Sequence, residues 1–535
     1  MKKIIALTLS IGLISVQAQS IKYWVFLNEA TPSFSQVQLG PDALARRAAQ
    51  GIPLRASDFA LPADAVASVA SVAPVVGRSR WLRAVVVSAD ASQREALRVL
   101  PAVASVQPVG LMRRPLTDYS LVSSAATLGN SAQKSAEEDG VHSYQYGASL
   151  DQVLQIRADA LHDAGFDGAG VKVAILDGGF FGANTFSAFT TAWQQGRVLE
   201  TLDYVDGDTN VFHLGSHGMS VWSTICADLD GTFVGTAPKA SFYLYKTENQ
   251  ASETIAEEYN WVMAAERADS LGVDVINTSL GYTTFDNGID DHSYADMDGR
   301  TTPISRAAVA AARTGMILCI SAGNEGASTW KYISAPADAD SILAVGAVDV
   351  LGVRASFSSQ GPSADGRIKP DVATRGLGAT VMNSNGAVAS SSGTSFSSPI
   401  LAGAMASLVQ AAKTLPGGYS AQGLIQQVRL SASQSFAPDS LLGYGIPNFA
   451  TVLASLEVPA LEADPSWTVV GRGDGGWTVC RSSTGPAVAA ELLSVDGRVL
   501  WTGHVPATER EFRIPANPFW TYLRVGTQIL PVAAR

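Results

Sequence analysis

The chain contains the sequence SSSGTSFSSP at residues 390–399, directly before an apolar, Ala-rich stretch that predicts a helix over residues 395–412. Gly393, two residues before Ser395, permits a tight turn and a close approach of a ligand to the backbone. The predicted helix directs its free N–H groups and the positive end of its dipole toward whatever lies beside Ser395. This turn is therefore a candidate mount for a nucleophilic serine.

Two earlier segments carry the groups that a serine hydroxyl needs for activation. Asp177 ends the apolar run 171–176, which has the length and the β-branched content of a buried parallel strand. His217 opens a segment to residue 227 that predicts a buried helix. A base and an orienting carboxylate together activate a serine. Along this chain the three candidate residues come in the order Asp, His, Ser.

A third group of segments surrounds this candidate triad. The sequence GMILCISAGNEG at residues 315–326 predicts a buried strand ending in a loop that presents Asn324. VINTSLG lies at residues 275–281, and FSSQGP at residues 357–362 precedes KPD at 369–371. With the Asp, His and Ser segments, these motifs resemble the subtilisin family of serine peptidases over about residues 148–455.

The resemblance implies a role for each of these residues. Ser395 is the expected nucleophile, His217 its base and Asp177 the carboxylate that orients the base. Asn324, with the backbone N–H of the nucleophile, is the expected oxyanion hole. The resemblance implies no metal ligand and no cofactor for catalysis. It assigns substrate binding to six further residues: Ser279, Leu280, Gly281, Ser321, Ala322 and Gly323.

The same resemblance implies the fold. We expect a three-layer α/β sandwich whose mostly parallel sheet has strands ending near residues 176, 245, 279, 321 and 348. Helices over residues 253–270, 304–314 and 395–412 are expected to cover it. The candidate groups then lie at the carboxyl ends of strands, where open α/β sheets bind ligands.

The chain departs from the family pattern at three places. Gly178 follows the aspartate where Ser or Thr is frequent, Met219 stands where Thr is common, and residues 374–376 read Thr-Arg-Gly instead of Ala-Pro-Gly. None of these changes removes a member of the triad. They alter the groups around it, and so bear on rate and substrate preference more than on the class of reaction.

Two metal sites compete with this interpretation. His213 and His217 are four residues apart, but Leu214 stands where a zinc peptidase needs Glu, which argues against zinc. A structural calcium ion is the other candidate, because carboxylate oxygens suit a hard cation. The alternative is a solvated acidic loop. The carboxylates concerned are Asp286, Asp290, Asp291, Asp296 and Asp298.

The residues before the catalytic region predict export and inhibition. Lys2 and Lys3 precede an apolar run and the small residue Ala18, which predicts a secretory signal peptide over residues 1–18. Residues 19–113 alternate strand and helix patterns and resemble the inhibitory propeptide of secreted subtilases of the Bacteroidota type. An unrelated packing domain is the alternative. Residues 114–147 are then a cleavable linker.

The residues after the catalytic region predict a small β-sandwich over residues 456–535. Short strand patterns are separated by turn signals, among them the hairpin dipeptide at residues 496–497. The run SVDGRVL at residues 494–500 and the closing strands resemble the C-terminal sorting domain of the type IX secretion system. A carbohydrate-binding or other adhesive sandwich is the alternative.

The composition of the chain limits the classes of partner and the cellular locations that we expect. A net charge of −11 argues against nucleic acid, and 47% hydrophobic residues over 535 positions can form large cores. Cys226, Cys319 and Cys480 are too few for a disulfide framework. We therefore predict a secreted protein, extracellular or at the cell surface, that reaches its location through the periplasm. Its expected partners are protein or peptide substrates, its own propeptide as an intramolecular inhibitor, and the type IX secretion machinery.

Two functional hypotheses follow. The first is a secreted serine endopeptidase that acts through an acyl-enzyme. The second is a non-catalytic binding protein on a subtilase scaffold. The intact set of Asp177, His217, Ser395 and Asn324 favours the first, as does the propeptide, since an inert domain has no activity to restrain.

Overall fold

The computed structural model describes residues 21–28, 37–109 and 142–457, together with seven strands between residues 467 and 532. The first described unit is an antiparallel sheet with three helices. Its strands are β1 (Ile21–Leu27), β2 (Val75–Ser79), β3 (Ala84–Ala89) and β4 (Val103–Pro108), in the order β2-β3-β1-β4. Its helices are α1 (Pro41–Ala49), α2 (Ala63–Ala70) and α3 (Ala91–Arg98). The expected α+β module is thus present.

Strand β1 is buried on both faces, and alternate residues enter two different cores. Tyr23 and Val25 pack into the core of their own unit. Trp24 packs instead into a core of the large domain, where its ring lies 4.4 Å from that of Tyr259 between centroids. The period-2 geometry of a strand therefore joins the first unit to the second through β1.

The large domain is built on a seven-stranded sheet. Its strands are β5 (Lys172–Asp177), β6 (Val198–Asp203), β9 (Ser241–Lys246), β10 (Val275–Thr278), β11 (Ile317–Ser321), β12 (Leu343–Val348) and β13 (Val372–Arg375). They pair in the order β13-β12-β11-β10-β5-β9-β6, and every pairing is parallel. Two short antiparallel pairs flank the sheet: β7 (Asp228–Leu229) with β8 (Phe233–Val234), and β14 (Ala379–Met382) with β15 (Val388–Ser391).

Helices cover both faces of this sheet. They are α4 (Leu150–Gln155), α5 (Asp159–Asp163), α6 (Thr190–Gln194), α7 (His217–Cys226), α8 (Ile255–Ser270), α9 (Pro303–Ala312), α10 (Thr394–Ala412), α11 (Ala421–Ser431) and α12 (Phe449–Glu457). Val173 and Ile175 of β5 face the core that holds α7 and α10. Ala174 and Leu176 face the core that holds α8 and α9. These three layers confirm the expected fold.

The last described strands form two antiparallel sheets. One has the order β16 (Trp467–Gly471), β17 (Trp477–Arg481), β20 (Glu511–Ile514). The other has the order β19 (Val499–Val505), β18 (Val488–Ser494), β21 (Thr521–Val525), β22 (Gln528–Val532). Val479 from the first sheet and Leu492 and Leu523 from the second share one apolar core. The all-β C-terminal unit is therefore confirmed.

Several expectations need adjustment or lie outside the described residues. The sheet has two strands that the sequence did not predict, β6 and β13, and the first unit has α2 and β2 as well. Residues 1–18, most of the linker and the dipeptide at 496–497 are not described, so the signal peptide, the linker and all domain limits stay predictions. Within the described ranges, no helix is both long and apolar enough to cross a membrane.

Candidate active site

Four segments bring the predicted residues to one edge of the sheet. Asp177 is the last residue of β5, and Asn324 lies three residues beyond the end of β11. His217 is the first residue of α7, and Ser395 is the second residue of α10. Since all strands of the sheet are parallel, their carboxyl ends lie together and the two helix N-termini meet them there.

Asp177 and His217 form a direct pair. Nδ1 of His217 lies 2.7 Å from Oδ1 of Asp177, which also accepts from the N–H of Gly178 at 2.7 Å. The aspartate side chain is fully buried, whereas that of the histidine is 34% exposed. A Cβ at Gly218 would lie 2.9 Å from Cβ of Asp177, so glycine lets α7 approach the end of β5 closely enough for this pair.

Two opposing effects set the protonation of His217. Burial lowers the pKa of the imidazole, because it disfavours the charged form. The charge and the hydrogen bond of Asp177 act the other way and outweigh burial, with a smaller contribution from the charge of Glu248. The net pKa of His217 is raised above its ordinary value of 6.5. The site therefore favours an imidazolium, which a base must become after it accepts a proton.

Ser395 lies in the first turn of α10, fixed by contacts to the end of β10. Its carbonyl accepts a hydrogen bond from Oγ of Ser279 at 2.8 Å. Its own Oγ donates to the carbonyl of Ser279 at 3.4 Å, a long hydrogen bond. The ring of the next residue, Phe396, lies 6.0 Å from the His217 ring between centroids. The Ser395 hydroxyl is thus only weakly held, in a turn whose next residue packs near the imidazole.

Asn324 is oriented by the residue before Ser395. Its Oδ1 accepts from both the N–H and the Oγ1 of Thr394, each at 2.9 Å. Oγ1 of Thr394 also accepts from the N–H of Gly323 at 3.2 Å. Because both donors hold the amide oxygen, Nδ2 remains as the donor, and a Cβ at Gly393 would lie 3.7 Å from it. An N–H donor therefore faces the turn that carries the serine.

The six predicted substrate-binding residues also lie together. Ser279–Gly281 follow β10, and Ser321–Gly323 end or follow the neighbouring strand β11. Oγ of Ser321 donates to the carbonyl of Leu280 at 3.4 Å, across the two segments. A Cβ at Gly281 would lie 2.1 Å from Oγ of Ser334, so this position has no room for a side chain. Ser279 contacts Ser395 and Gly323 contacts Thr394, so both segments lie beside the first turn of α10.

The three departures from the family pattern have visible consequences. Without a side-chain donor at Gly178, Oδ2 of Asp177 is buried and has no hydrogen-bond partner among the described residues. Met219 is fully buried in the core of α7 and α10. Oγ1 of Thr374 donates to the carbonyl of Ser397 at 2.8 Å, which supports the first turn of α10. The first departure therefore leaves a polar atom without a partner among the described residues, and the third also does, at Nε and Nη1 of Arg375.

The acidic loop considered for calcium uses its carboxylates locally. Asp291 accepts from the N–H of Phe285, Asp296 from Ser293, and Asp298 from Arg300 and Thr301. In the part of the chain that the structure describes, these aspartates are not among the clusters spaced for one metal ion. His213 lies outside α7 and pairs with Asp206 at 3.3 Å, so the two histidines do not share a helix face.

The sequence analysis did not identify a cluster of three glutamates near His217. Glu248 follows β9, and Glu253 and Glu257 lie before and within the first turn of α8. Their carboxylates lie within 4.8 Å of one another. Spacings of five and four residues across a loop carry no periodic signal, so only the path of the loop brings these side chains together.

Comparison with known proteins agrees with this architecture. The model of the subtilase family (Peptidase S8) matches residues 168–445, and the model of the Peptidase S8 propeptide domain of Bacteroidota matches residues 22–120. Subtilisin E of Bacillus subtilis strain 168 is 32% identical over 295 residues, which cover 53% of this chain and 69% of that protein. Subtilisin of Bacillus pumilus is 32% identical over 258 residues, 48% of this chain and 82% of that protein.

Among solved structures, the MycP3 protease from the type VII (ESX-3) secretion system aligns with a TM-score of 0.45 and 19% identity, over 57% of this chain and 88% of that one. The subtilase match covers just over half of the 535 residues. Subtilases need no cofactor for catalysis. The chain belongs to the subtilase family of serine endopeptidases and carries a propeptide domain of the Bacteroidota S8 type.

Proposed function

We propose that Asp177, His217 and Ser395 are the catalytic triad of this endopeptidase and that Asn324 is its oxyanion-hole side chain. The observation that carries the proposal is the 2.7 Å hydrogen bond between His217 and the buried Asp177. This bond fixes the proton of the neutral imidazole on Nδ1 and leaves Nε2 as the acceptor. The family membership supplies the reaction, and this geometry supports the assignment of residues to it.

The first half of the reaction forms an acyl-enzyme. Nε2 of His217 accepts the proton of Ser395 Oγ as that oxygen attacks the peptide carbonyl carbon. The carbonyl oxygen becomes an oxyanion, which accepts from Nδ2 of Asn324 and from the backbone N–H of Ser395. His217 then donates its proton to the leaving amine and the C–N bond breaks. Asp177 stabilises the imidazolium during this step.

The second half repeats the same transfers with water. His217 takes a proton from water, the resulting hydroxide attacks the ester carbon, and the proton returns to Ser395 Oγ as the carboxylate product leaves. In the resting site, the one hydrogen bond that Ser395 Oγ donates within the described part of the chain is the 3.4 Å bond to the carbonyl of Ser279. Catalytic hydrogen bonds are often long before substrate binds, so we expect the hydroxyl to turn to His217 in the substrate complex.

We further propose an order of units along the chain. Residues 1–18 are a signal peptide, 19–113 an inhibitory propeptide and 114–147 a cleavable linker. Residues 148–455 are the catalytic domain, and 456–535 a C-terminal sorting domain that the type IX secretion machinery recognises. The Bacteroidota propeptide match and the two C-terminal sheets support export by this route. The mature enzyme would then be extracellular or at the cell surface.

Contacts between the first unit and α8 support its role as an intramolecular inhibitor. Glu266 of α8 accepts from the backbone N–H groups of Arg80 at 2.8 Å and Trp81 at 3.1 Å, and also from Oγ of Ser79. Such buried, charge-assisted contacts hold the unit in place after its covalent link is cut. The propeptide would therefore restrain the enzyme until it is released or degraded.

The test is labelling of the exported, processed protein with a fluorophosphonate probe. We expect wild type to be labelled at Ser395 and the Ser395→Ala variant to be unlabelled. Ser390→Ala is the matched control, because Ser390 is an exposed serine of β15 in the same segment. It should label like wild type. Absence of labelling in the processed wild type would refute the triad and favour a non-catalytic binding protein on this scaffold.

A further inference from the structure

An open cavity of about 570 Å³ lies directly beside the proposed catalytic pair. Asp177 and His217 form one wall. Leu280, which follows the end of β10 that contacts Ser395, forms another. The loop after β9 and the start of α8 complete it through Glu248 and Glu253. A peptide that places its scissile bond at Ser395 therefore passes this cavity.

The cavity is lined by carboxyl groups. Glu248, Glu253 and Glu257 have carboxylates within 4.8 Å of one another, and Asp286 lines the same space. Among the described residues of its wall there is no lysine and no arginine. The carboxylates of Glu248 and Glu257 are held by neutral donors, Tyr282 and Thr247 for the first and backbone N–H groups for the second. These contacts fix the positions of the two carboxyl groups and bring no positive charge to them.

An independent observation also indicates a missing donor. Asp177 is fully buried and lines this cavity, yet its Oδ2 has no hydrogen-bond partner among the described residues. A buried carboxylate oxygen that stays unpaired is costly, and such exceptions in native structures call for a ligand or water that completes them. The charge of Asp177 also acts on Glu248, so the two carboxylates belong to one electrostatic site.

The carboxylates perturb one another. Partial burial of the Glu253 carboxyl, followed by the charges of Glu248 and Asp286, raises its pKa to about 8. Burial and neighbouring carboxylates also raise the pKa of Glu257, and burial foremost raises that of Glu248. A cation within the cluster would oppose this repulsion and lower all three pKa values.

The shape of the cavity favours an organic cation over a metal ion. Calcium takes six to eight oxygen ligands at about 2.3–2.6 Å. Here Glu248 and Glu257 already direct their oxygens at protein donors, between 2.5 and 3.0 Å away. A space of about 570 Å³ far exceeds the room that one ion needs, but it admits an extended side chain.

We propose that this acidic cavity binds a lysine or arginine side chain of the peptide substrate next to the scissile bond. The inference rests on the proposed function, because it concerns the specificity of the same site. Glu253 and Glu248 are the specificity-determining residues: Glu248 lies deeper, beside the catalytic pair, and Glu253 lies at the exposed rim. Both contact the side chain of the substrate rather than the reacting atoms.

The experiment compares two sets of fluorogenic peptides that differ at one position at a time. One set carries arginine and the other citrulline, which has the same shape without the charge. The processed wild type should cleave the arginine peptide roughly tenfold or more faster in kcat/KM at one position, as a charge-assisted hydrogen bond predicts. Glu253→Gln and Glu248→Gln should each reduce this ratio, and the double variant should bring it close to one.

The controls separate this inference from the proposed function. Asp151→Asn removes an exposed charge from α4, which does not line the cavity, and should keep the wild-type ratio. Labelling of wild type by the fluorophosphonate first establishes that its nucleophile is active. If wild type labels and cleaves but does not distinguish arginine from citrulline at any position, the inference is wrong and the proposed function stands. If nothing labels or cleaves, the proposed function fails and the inference fails with it.

A calcium titration addresses the rival occupant. Millimolar calcium should not change the arginine-to-citrulline ratio of wild type. It should also not change the difference in thermal stability between Glu253→Gln and wild type. If calcium instead stabilises wild type but not Glu253→Gln, and abolishes arginine selectivity, the cavity is a metal site and the inference is overturned.

Discussion

Nη2 of Arg46 lies 2.5 Å from Oδ1 of Asp269, and this ion pair joins helix α1 of the propeptide to the last turn of α8 in the catalytic domain. Both side chains are almost completely buried, with 2% and 0% exposure. Arg47 also donates to both oxygens of Asp269 at 3.0 Å. One buried carboxylate thus receives two guanidinium groups, which makes α8 a docking element as well as a structural one.

Arg46→Ala should loosen the propeptide strongly. The change leaves Asp269 with one guanidinium fewer in a buried site, and breaking a buried pair typically costs about 3–5 kcal/mol. The measurement is urea unfolding of the unprocessed Ser395→Ala chain with and without the substitution. Arg94→Ala is the control, because Arg94 pairs with Glu95 on the surface of the first unit. Equal midpoints for the two arginine variants would contradict a docking role for Arg46.

Asp177→Asn should abolish most activity while preserving the fold. Asparagine keeps the shape but no longer stabilises the imidazolium, and an Nδ2 donor facing His217 favours the wrong tautomer. In serine peptidases with this triad such a change lowers kcat by about 10⁴. The measurement is kcat on a peptide substrate, with circular dichroism to confirm the fold. Retention of more than a tenth of the wild-type kcat would show that Asp177 does not orient the base.

The proposed triad was predictable because each member lies at a boundary that leaves a local mark. Asp177 ends an apolar run and His217 and Ser395 begin helices, so strand and helix patterns located them. Strand β6 was missed because it lies at the edge of the sheet, where only Asp203 is fully buried and no continuous apolar run marks it. The contact of Arg46 with Asp269 spans 223 residues, so it depends on the tertiary fold alone.

Asn324→Ala should lower kcat more than it changes KM. In the proposed mechanism the Nδ2 donor acts on charge that develops in the transition state, and removing such a donor typically costs about 10²–10³ in kcat. Thr394→Val tests the positioning of that donor. It removes one hydrogen bond to Asn324 Oδ1 and leaves the backbone one, so we expect a loss of about fivefold, from about 1 kcal/mol. A larger loss for Thr394→Val than for Asn324→Ala would contradict this order of roles.

The acid limb of kcat/KM should lie above pH 6.5, the ordinary pKa of histidine. The proposed mechanism requires neutral His217, and the raised pKa of His217 keeps the imidazole protonated to a higher pH than usual. Because Asp177 and Glu248 are the charged groups that raise this pKa, Glu248→Gln should move the limb to lower pH. The measurement is kcat/KM from pH 5 to 9 with an uncharged substrate. Asp151→Asn is the control, and its acid limb should not shift.

Added salt should reduce the difference in acid limb between wild type and Glu248→Gln only slightly, since screening acts least on buried charges. A limb that stays in place in Glu248→Gln would exclude Glu248 from the electrostatics of the base.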